Sequence, residues 1–355
     1  MVSGVLDSAR ELGALDSTGM FEAAWNLPEQ CEQAWSLAGE TPLPEVTDWR
    51  QILVTGVGGS AIGGDLLRVF AAGKLHLPVL VNRDYTLPWY VNQDTLVFAV
   101  SYSGNTEETL SAYDAARERG ASVVAVTTGG QLGDKAAADG QTVIRVPAGI
   151  APRAATGHLF IPMVAVLERL GFFAGMRAEV EGLSVHLREL RDRYGPRTPT
   201  RENPAKQLAL NLQDRLPVIW GASGTTEVVA QRWKGQLNEN AKAPAYWNVF
   251  PELNHNEVVG FEQPGDLLGR IWLIILKDDA DHPRVRLRMK ITREMVRKTA
   301  GLTEVHASGP TESARLYSLI YLGDYASMYV AALAGIDPGP VRVIDHLKNE
   351  LAKHE

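Results

Sequence analysis

Three side chains and two turns in this sequence have the residue types and spacing for acid–base chemistry on a bound anion. Gly235-Gln-Leu-Asn-Glu239-Asn-Ala-Lys242 ends a predicted helix. A carboxylate there meets the negative end of the helix dipole, an environment that suits a general base; a solvated glutamate is the competing reading. Sixteen residues on, Pro251-Glu-Leu-Asn254-His255-Asn256-Glu257 sets a histidine between two amides and two carboxylates. Such neighbours could fix its tautomer for proton transfer, and a structural histidine is the alternative. Arg153, in Pro152-Arg153 between a strand and a helix, places a fixed cation near a cleft or forms a surface ion pair.

The turns come from the other half of the chain. Ser101-Tyr-Ser103-Gly-Asn-Thr106-Glu-Glu-Thr109 crowds hydroxyls between the apolar run Thr95–Val100 and an amphipathic helix over 107–119. Free N–H groups and the positive end of the helix dipole meet there, so Ser101, Ser103 and Thr106 read as a phosphate cradle or, at the least, as a helix cap. Thr55-Gly-Val-Gly-Gly59-Ser60-Ala61 matches the dinucleotide pattern G-x-G-x-x-A after a strand, with Asp84 near the end of the next strand. That motif is weak alone. Two helix N-termini that can face one small anion favour contact of Gly59 and Ser60 with a sugar phosphate over a dinucleotide.

The elements that position these groups repeat a grammar. Strands are predicted at 51–56, 77–82, 95–101, 122–127 and 142–146, with helices at 64–72, 107–119 and 157–170. After a connecting helix at 177–194 and a Pro-rich linker at 194–204, strands follow at 216–223, 245–249, 268–276 and 303–307, with helices at 226–238, 283–299 and 311–334. Alternating strands and helices imply doubly wound parallel sheets with flanking helices, an α/β chain of two similar halves. The predicted divisions are a helical acidic segment at 1–48, a first α/β domain at 49–172, a connector at 173–204, a second α/β domain at 205–335 and a helical tail at 336–355. Arg286, Lys290, Arg293 and Arg297 lie at helical spacing opposite Leu287, Ile291 and Met295, and read as a solvated face.

Composition excludes several classes. Of 355 residues, 45% are hydrophobic and 22% charged, and the net charge of −7 argues against a nucleic-acid-binding surface. Much of the acidity is local, because residues 1–48 carry nine Asp/Glu against one Arg. The single cysteine, Cys31, allows neither an internal disulfide nor a cysteine-built metal site and reads as a small buried side chain. No secretory pattern opens the sequence, and Ile271–Leu276 is too short an apolar run to span a bilayer, so a cytoplasmic protein without membrane partners is expected.

Taken together, the motifs resemble the bifunctional phosphoglucose/phosphomannose isomerase family, built from two sugar-isomerase domains. The resemblance rests on Gly56-Val-Gly-Gly-Ser-Ala-Ile-Gly-Gly-Asp65, Ser101–Thr106, Pro152-Arg-Ala154, Asn238-Glu-Asn-Ala-Lys242, Asn254-His-Asn-Glu257 and Asp345-His-Leu-Lys348. It implies that Gly59, Ser60, Ser101, Ser103 and Thr106 hold the substrate, that Glu239 moves a proton between carbons 2 and 1, and that His255, donated across a homodimer, helps open the ring. Arg153 would stabilise the enediolate and Lys348 would sit near the ring oxygen or hydroxyls. Val57 and Ala151 depart from residues the family often has there. The implied reaction interconverts glucose 6-phosphate, and mannose 6-phosphate, with fructose 6-phosphate; it needs no redox cofactor, and no cluster with metal spacing is visible, so no cofactor and no metal are expected. A non-catalytic sugar-phosphate-binding regulator and an isomerase of another sugar phosphate are the alternatives.

Overall fold

The strand runs form two parallel sheets. In the computed structural model, which describes residues 4–45, 48–262 and 265–354, β1 (Gln51–Thr55), β2 (Val79–Asn82), β3 (Thr95–Val100), β4 (Ser122–Thr127) and β5 (Thr142–Arg145) pair in the order β2-β1-β3-β4-β5. β6 (Leu216–Ala222), β7 (Tyr246–Phe250), β8 (Ile271–Lys277) and β9 (Gly301–His306) pair as β7-β6-β8-β9. Every pairing is parallel. The second sheet thus has the first sheet's order with one strand fewer. β3, central in its sheet, is buried along its whole length, as a continuous apolar run requires of a strand covered on both faces. In sheets of this order a crevice opens outside the carboxyl ends of the strands where the crossovers diverge, here β1 and β3. The glycine turn leaves the end of β1 and the hydroxyl turn leaves the end of β3.

The helix behind β1 spans Gly59–Ala71, starting five residues earlier than the sequence pattern predicts. Glycines lower helix propensity and masked this start. Their smallness is used in packing: a Cβ on Gly63 would lie 2.5 Å from the Leu159 carbonyl oxygen, and one on Gly64 2.8 Å from Val54 Cγ1. In the acidic N-terminal segment the helix Leu27–Glu40 packs on the helix Thr156–Arg169, with Cys31 fully buried between them beside Gly157.

The stretch read as a linker is tightly held. Asn203 is fully buried, its amide donates to the Tyr194 carbonyl (2.8 Å), and its Oδ1 accepts from Ala205 N at the start of the helix Pro204–Leu212. Proline and glycine content marks a turn but does not distinguish a loose one from a rigid one. The helix Glu312–Leu333 runs through the middle of the molecule, buried almost throughout. Its tyrosines recur every fourth residue, and three donate hydroxyls to surrounding elements: Tyr317 to Thr156 O (3.1 Å), Tyr321 to Ala24 O (2.9 Å) and Tyr329 to Tyr194 O (2.6 Å). On the helix Pro283–Met295 the basic residues are solvated as expected, but Leu287, Ile291 and Met295 are also exposed, while Met289 and Thr292 are buried. No helix among the described residues is long and apolar enough to cross a membrane.

Candidate active site

The hydroxyl turn is built by hydrogen bonds within itself and to its neighbours. Ser101 Oγ lies 2.8 Å from Thr106 Oγ1 and accepts from Gly104 N (3.1 Å), and Ser103 Oγ accepts from Asn105 N (3.3 Å). Thr106 is the N-cap of the helix Glu107–Glu118 and makes no side-chain cap bond, so the helix's first N–H groups are left for another acceptor. Gly104 takes φ +72°, where an added Cβ would lie 1.8 Å from the Gly129 carbonyl oxygen; the turn after β4 therefore presses on the hydroxyl turn from behind. From the other side Ser60 Oγ accepts from Tyr102 N (3.3 Å), which joins the two turns as one wall. Tyr102 in turn donates its hydroxyl to Pro147 O (2.9 Å) in the loop that leads to Arg153.

Arg153 is the hinge of the site. Its side chain is 5% exposed, and two of its three nitrogens are committed to the second half: Nε donates to Asn240 Oδ1 (2.6 Å), and Nη2 to the carbonyls of Pro338 (2.7 Å) and Gly339 (2.6 Å). Nη1 points the other way, 3.6 Å from Glu239 Oε2. Burial pulls the guanidinium below its ordinary range, with Glu239 opposing that shift. Arg153 and Glu239 share a cavity of about 230 Å³ with Gly58, Gly59, Arg83 and Lys234. Gly59 is needed for closure, since a Cβ there would lie 2.9 Å from the Pro152 carbonyl oxygen.

Glu239 projects from the last turn of the helix Glu227–Ala241, as the sequence suggests, and is about one-third exposed. The negative end of that helix is covered, because Lys242 turns back in left-handed conformation and its Nζ donates to the Glu239 (2.7 Å) and Asn240 (3.3 Å) carbonyls. Burial lowers the Lys242 ammonium's pKa, Arg153 adding to the effect and Asp337 and Glu239 opposing it.

The structure therefore brings Gly59, Arg153 and Glu239 to one cavity, with Ser60, Ser101, Ser103 and Thr106 in the adjoining wall. His255 and Lys348 are not among the residues lining it. His255 is exposed on the short helical turn after β7, where the neighbouring Asn254 donates to Thr292 Oγ1 (2.8 Å), and Lys348 is exposed on the helix Arg342–Leu351. A larger groove of about 590 Å³ starts at Asn238 and Glu239 and runs along Val341–Ile344, the first turn of that helix.

Several supporting residues escaped the sequence reading. Behind Arg153, Arg232 donates through Nη2 to the Arg153 carbonyl (2.8 Å) and pairs with Asp324, Nη2 to Oδ2 at 2.7 Å and Nε to Oδ1 at 3.2 Å. Gln236 donates to the same carboxylate (2.9 Å), and Asn240 donates to Ser327 Oγ (2.9 Å). The available signals were an acid inside the apolar helix over 319–333, which demands a buried partner, and the polar stripe Arg232, Gln236, Asn240 at helical spacing. In the second half, after β6 and β8, Thr225 donates to Asp281, and Asp278 pairs with Arg315 at 3.0 Å.

Among the described residues no group of three or more His, Cys, Asp or Glu is arranged to hold a metal ion. Residues 45–152 match the SIS domain family, and residues 201–351 match the bacterial phospho-glucose isomerase C-terminal SIS domain. The chain is 49% identical to the bifunctional phosphoglucose/phosphomannose isomerase of Caldicellulosiruptor bescii over 94% of this chain and 99% of that one. It is 36% identical to the protein of the same name from Aquifex aeolicus, over 87% and 93% of the two chains. A glucose-6-phosphate isomerase like protein from Thermus thermophilus shares the fold, with TM-score 0.63 and 21% identity over 94% of this chain and 97% of that one. Together with the two-sheet architecture and the arginine–glutamate pair at the cleft, these matches make the chain a member of the bifunctional phosphoglucose/phosphomannose isomerase family.

Proposed function

We propose that this enzyme interconverts glucose 6-phosphate, and mannose 6-phosphate, with fructose 6-phosphate by carrying one proton between carbons 2 and 1. The observation that carries this reading is Arg153 Nη1 lying 3.6 Å from Glu239 Oε2 in a cavity walled by the glycine turn. An aldose–ketose isomerase needs one carboxylate to take a proton from carbon 2 and return it to carbon 1, and a cation to hold the enediolate oxygen. Glu239 takes the first role and Arg153 the second. The phosphate sits on Ser60, Ser101, Ser103, Thr106 and the free N–H groups of the helix Glu107–Glu118, and supplies positioning energy remote from the reacting carbons. Carbon 2 is planar in the enediolate, so the two epimeric aldoses pass through one intermediate.

In this reading residues 49–172 hold the phosphate end, residues 205–335 supply the base, and the tail from 336 closes the site, with Lys348 near the substrate hydroxyls. His255 opens the ring in the active site of a second copy. Its exposure supports that assignment, as do the exposed apolar groups Leu287, Ile291 and Met295, on the helix whose Thr292 takes the neighbouring Asn254, and Val343 and Leu347 on the C-terminal helix. The test is a coupled assay on each hexose phosphate with Glu239→Gln alongside. Loss of a general base costs roughly 10²–10⁴-fold in kcat. A fully active Glu239→Gln would remove Glu239 from the mechanism. Mixing inactive Glu239→Gln chains with inactive His255→Ala chains restores part of the activity, because a mixed dimer holds one intact site; no recovery from confirmed mixed dimers would refute the shared site.

A further inference from the structure

The acidic N-terminal segment has so far been given only a packing role, yet one of its turns reaches the groups that aim Arg153. The Arg153 guanidinium is oriented by two backbone carbonyls, those of Pro338 and Gly339, in the buried turn that follows the helix Glu312–Leu333. That turn is held by Asp337. Its Oδ1 accepts from Gly339 N (2.9 Å), and its carboxylate also accepts from Ser17, Oδ1 from the backbone N (3.4 Å) and Oδ2 from Oγ (2.5 Å). Thr18 lies directly against the turn, since a Cβ on Gly339 would fall 2.1 Å from Thr18 Oγ1.

The segment that carries Ser17 and Thr18 is itself fixed. Asp16 accepts from Met20 N (2.9 Å) and Phe21 N (2.8 Å), tying its own turn to the start of the next helix. Phe21 then packs on Tyr329 at 5.4 Å and on Tyr325 at 6.3 Å, rings of the same long helix that leads into the Pro338–Gly339 turn. Without Ser17 and Thr18, the described side-chain bonds left to the turn from outside it are those of Lys242 to the Asp337 (3.0 Å) and Pro338 (3.3 Å) carbonyls and of Arg153 itself.

We propose that the Ser17–Thr18 turn is a clasp, closed on Asp337, that fixes the Pro338 and Gly339 carbonyls and so aims Arg153 Nη1 at the reacting carbons. Ser17 and Asp337 are then positioning residues. The inference rests on the assignment of Arg153 to the enediolate. Because that contact strengthens as charge develops, a misaimed guanidinium lowers kcat more than it raises KM.

The experiment compares Ser17→Ala, Asp337→Ala, Asp337→Asn and Arg153→Lys in the full-length enzyme, with kcat, KM and melting temperature measured for each. Asp337→Ala lowers kcat roughly tenfold or more, since small misplacements of catalytic groups cost up to ~10²-fold, while KM stays within about twofold. Ser17→Ala shifts kcat in the same direction by less. Asp337→Asn retains an acceptor for Gly339 N and recovers most of the activity. The clasp is overturned if Ser17→Ala and Asp337→Ala keep wild-type kcat while Arg153→Lys is impaired. It is equally overturned if kcat falls only in step with melting temperature, or if Asp337→Asn recovers nothing. If Arg153→Lys itself retains wild-type kcat, the assignment of Arg153 fails instead.

Discussion

Removing the Asp324 carboxylate tests how much the buried ion pair behind Arg153 stabilises the second half. Asp324 and Arg232 side chains are 9% and 2% exposed, so neither charge has appreciable access to water. In Asp324→Ala, Arg232 loses both bonds to the carboxylate and keeps the one to the Arg153 carbonyl. Stranding one partner of a buried pair costs ~3–5 kcal/mol, a large share of the ~5–15 kcal/mol that stabilises a typical native state. Arg232→Met strands Asp324 with only the Gln236 amide and should cost about as much, again ~3–5 kcal/mol. The double variant strands neither charge. It leaves the Arg153 carbonyl and the Gln236 amide short of a partner, at ~1–3 kcal/mol each. The double variant should therefore cost ~2–6 kcal/mol, less than the ~6–10 kcal/mol sum of the single costs, a mid-range coupling energy of ~4 kcal/mol. Urea unfolding of the four proteins of this cycle measures it. Additive costs would refute the reasoning, because they would mean that the two charges do not depend on one another.

Two further outcomes follow from single residues. Gly104→Ala places a side chain at φ +72° with its Cβ 1.8 Å from the Gly129 carbonyl oxygen, so the turn carrying Ser101, Ser103 and Thr106 must shift and KM for glucose 6-phosphate should rise. Gly140→Ala, with a similar φ of +66° but open space around it, is the control whose KM should not move. His158 is 4% exposed, and burial lowers its pKa from 6.5 to about 4. The unfolded chain then takes up the proton first as pH falls, so this stability is complete above about pH 6.5 and declines towards pH 4, by ~3 kcal/mol in all. Thermal melts from pH 7 to 4 should show His158→Gln losing less than the wild type over that range; parallel losses would show that other groups set the acid limit.

The two halves were legible in the sequence because each buried strand is a short apolar run and each crossover helix has a helical period, signals that depend on neighbours along the chain. The same local logic exposed the hydroxyl turn, where strand, serines and helix start are contiguous. Where local signals conflict, the reading slipped. Gly63 lies before the helix predicted over 64–72, yet it is helical, and it and Gly64 are there so that Leu159 and Val54 can approach closely. Leu287, Ile291 and Met295 form a regular apolar stripe, yet the face that meets the sheet is that of Met289 and Thr292. Periodicity identifies an apolar face but not what will cover it.

By itself the sequence determined the fold class, the hydroxyl turn between β3 and its helix, and the identity of the glutamate, arginine and histidine with chemistry to offer. Only the tertiary structure decided how Arg153 is aimed. Its partners Asn240, Pro338 and Gly339 lie 87 to 186 residues away, two of them acting through backbone carbonyls that carry no residue-type signal. The Asp324–Arg232 pair and the Ser17–Asp337 clasp are of the same kind, separated by 92 and 320 residues. A side chain's type follows from its codon, but its direction is set by groups that meet only when the chain has folded.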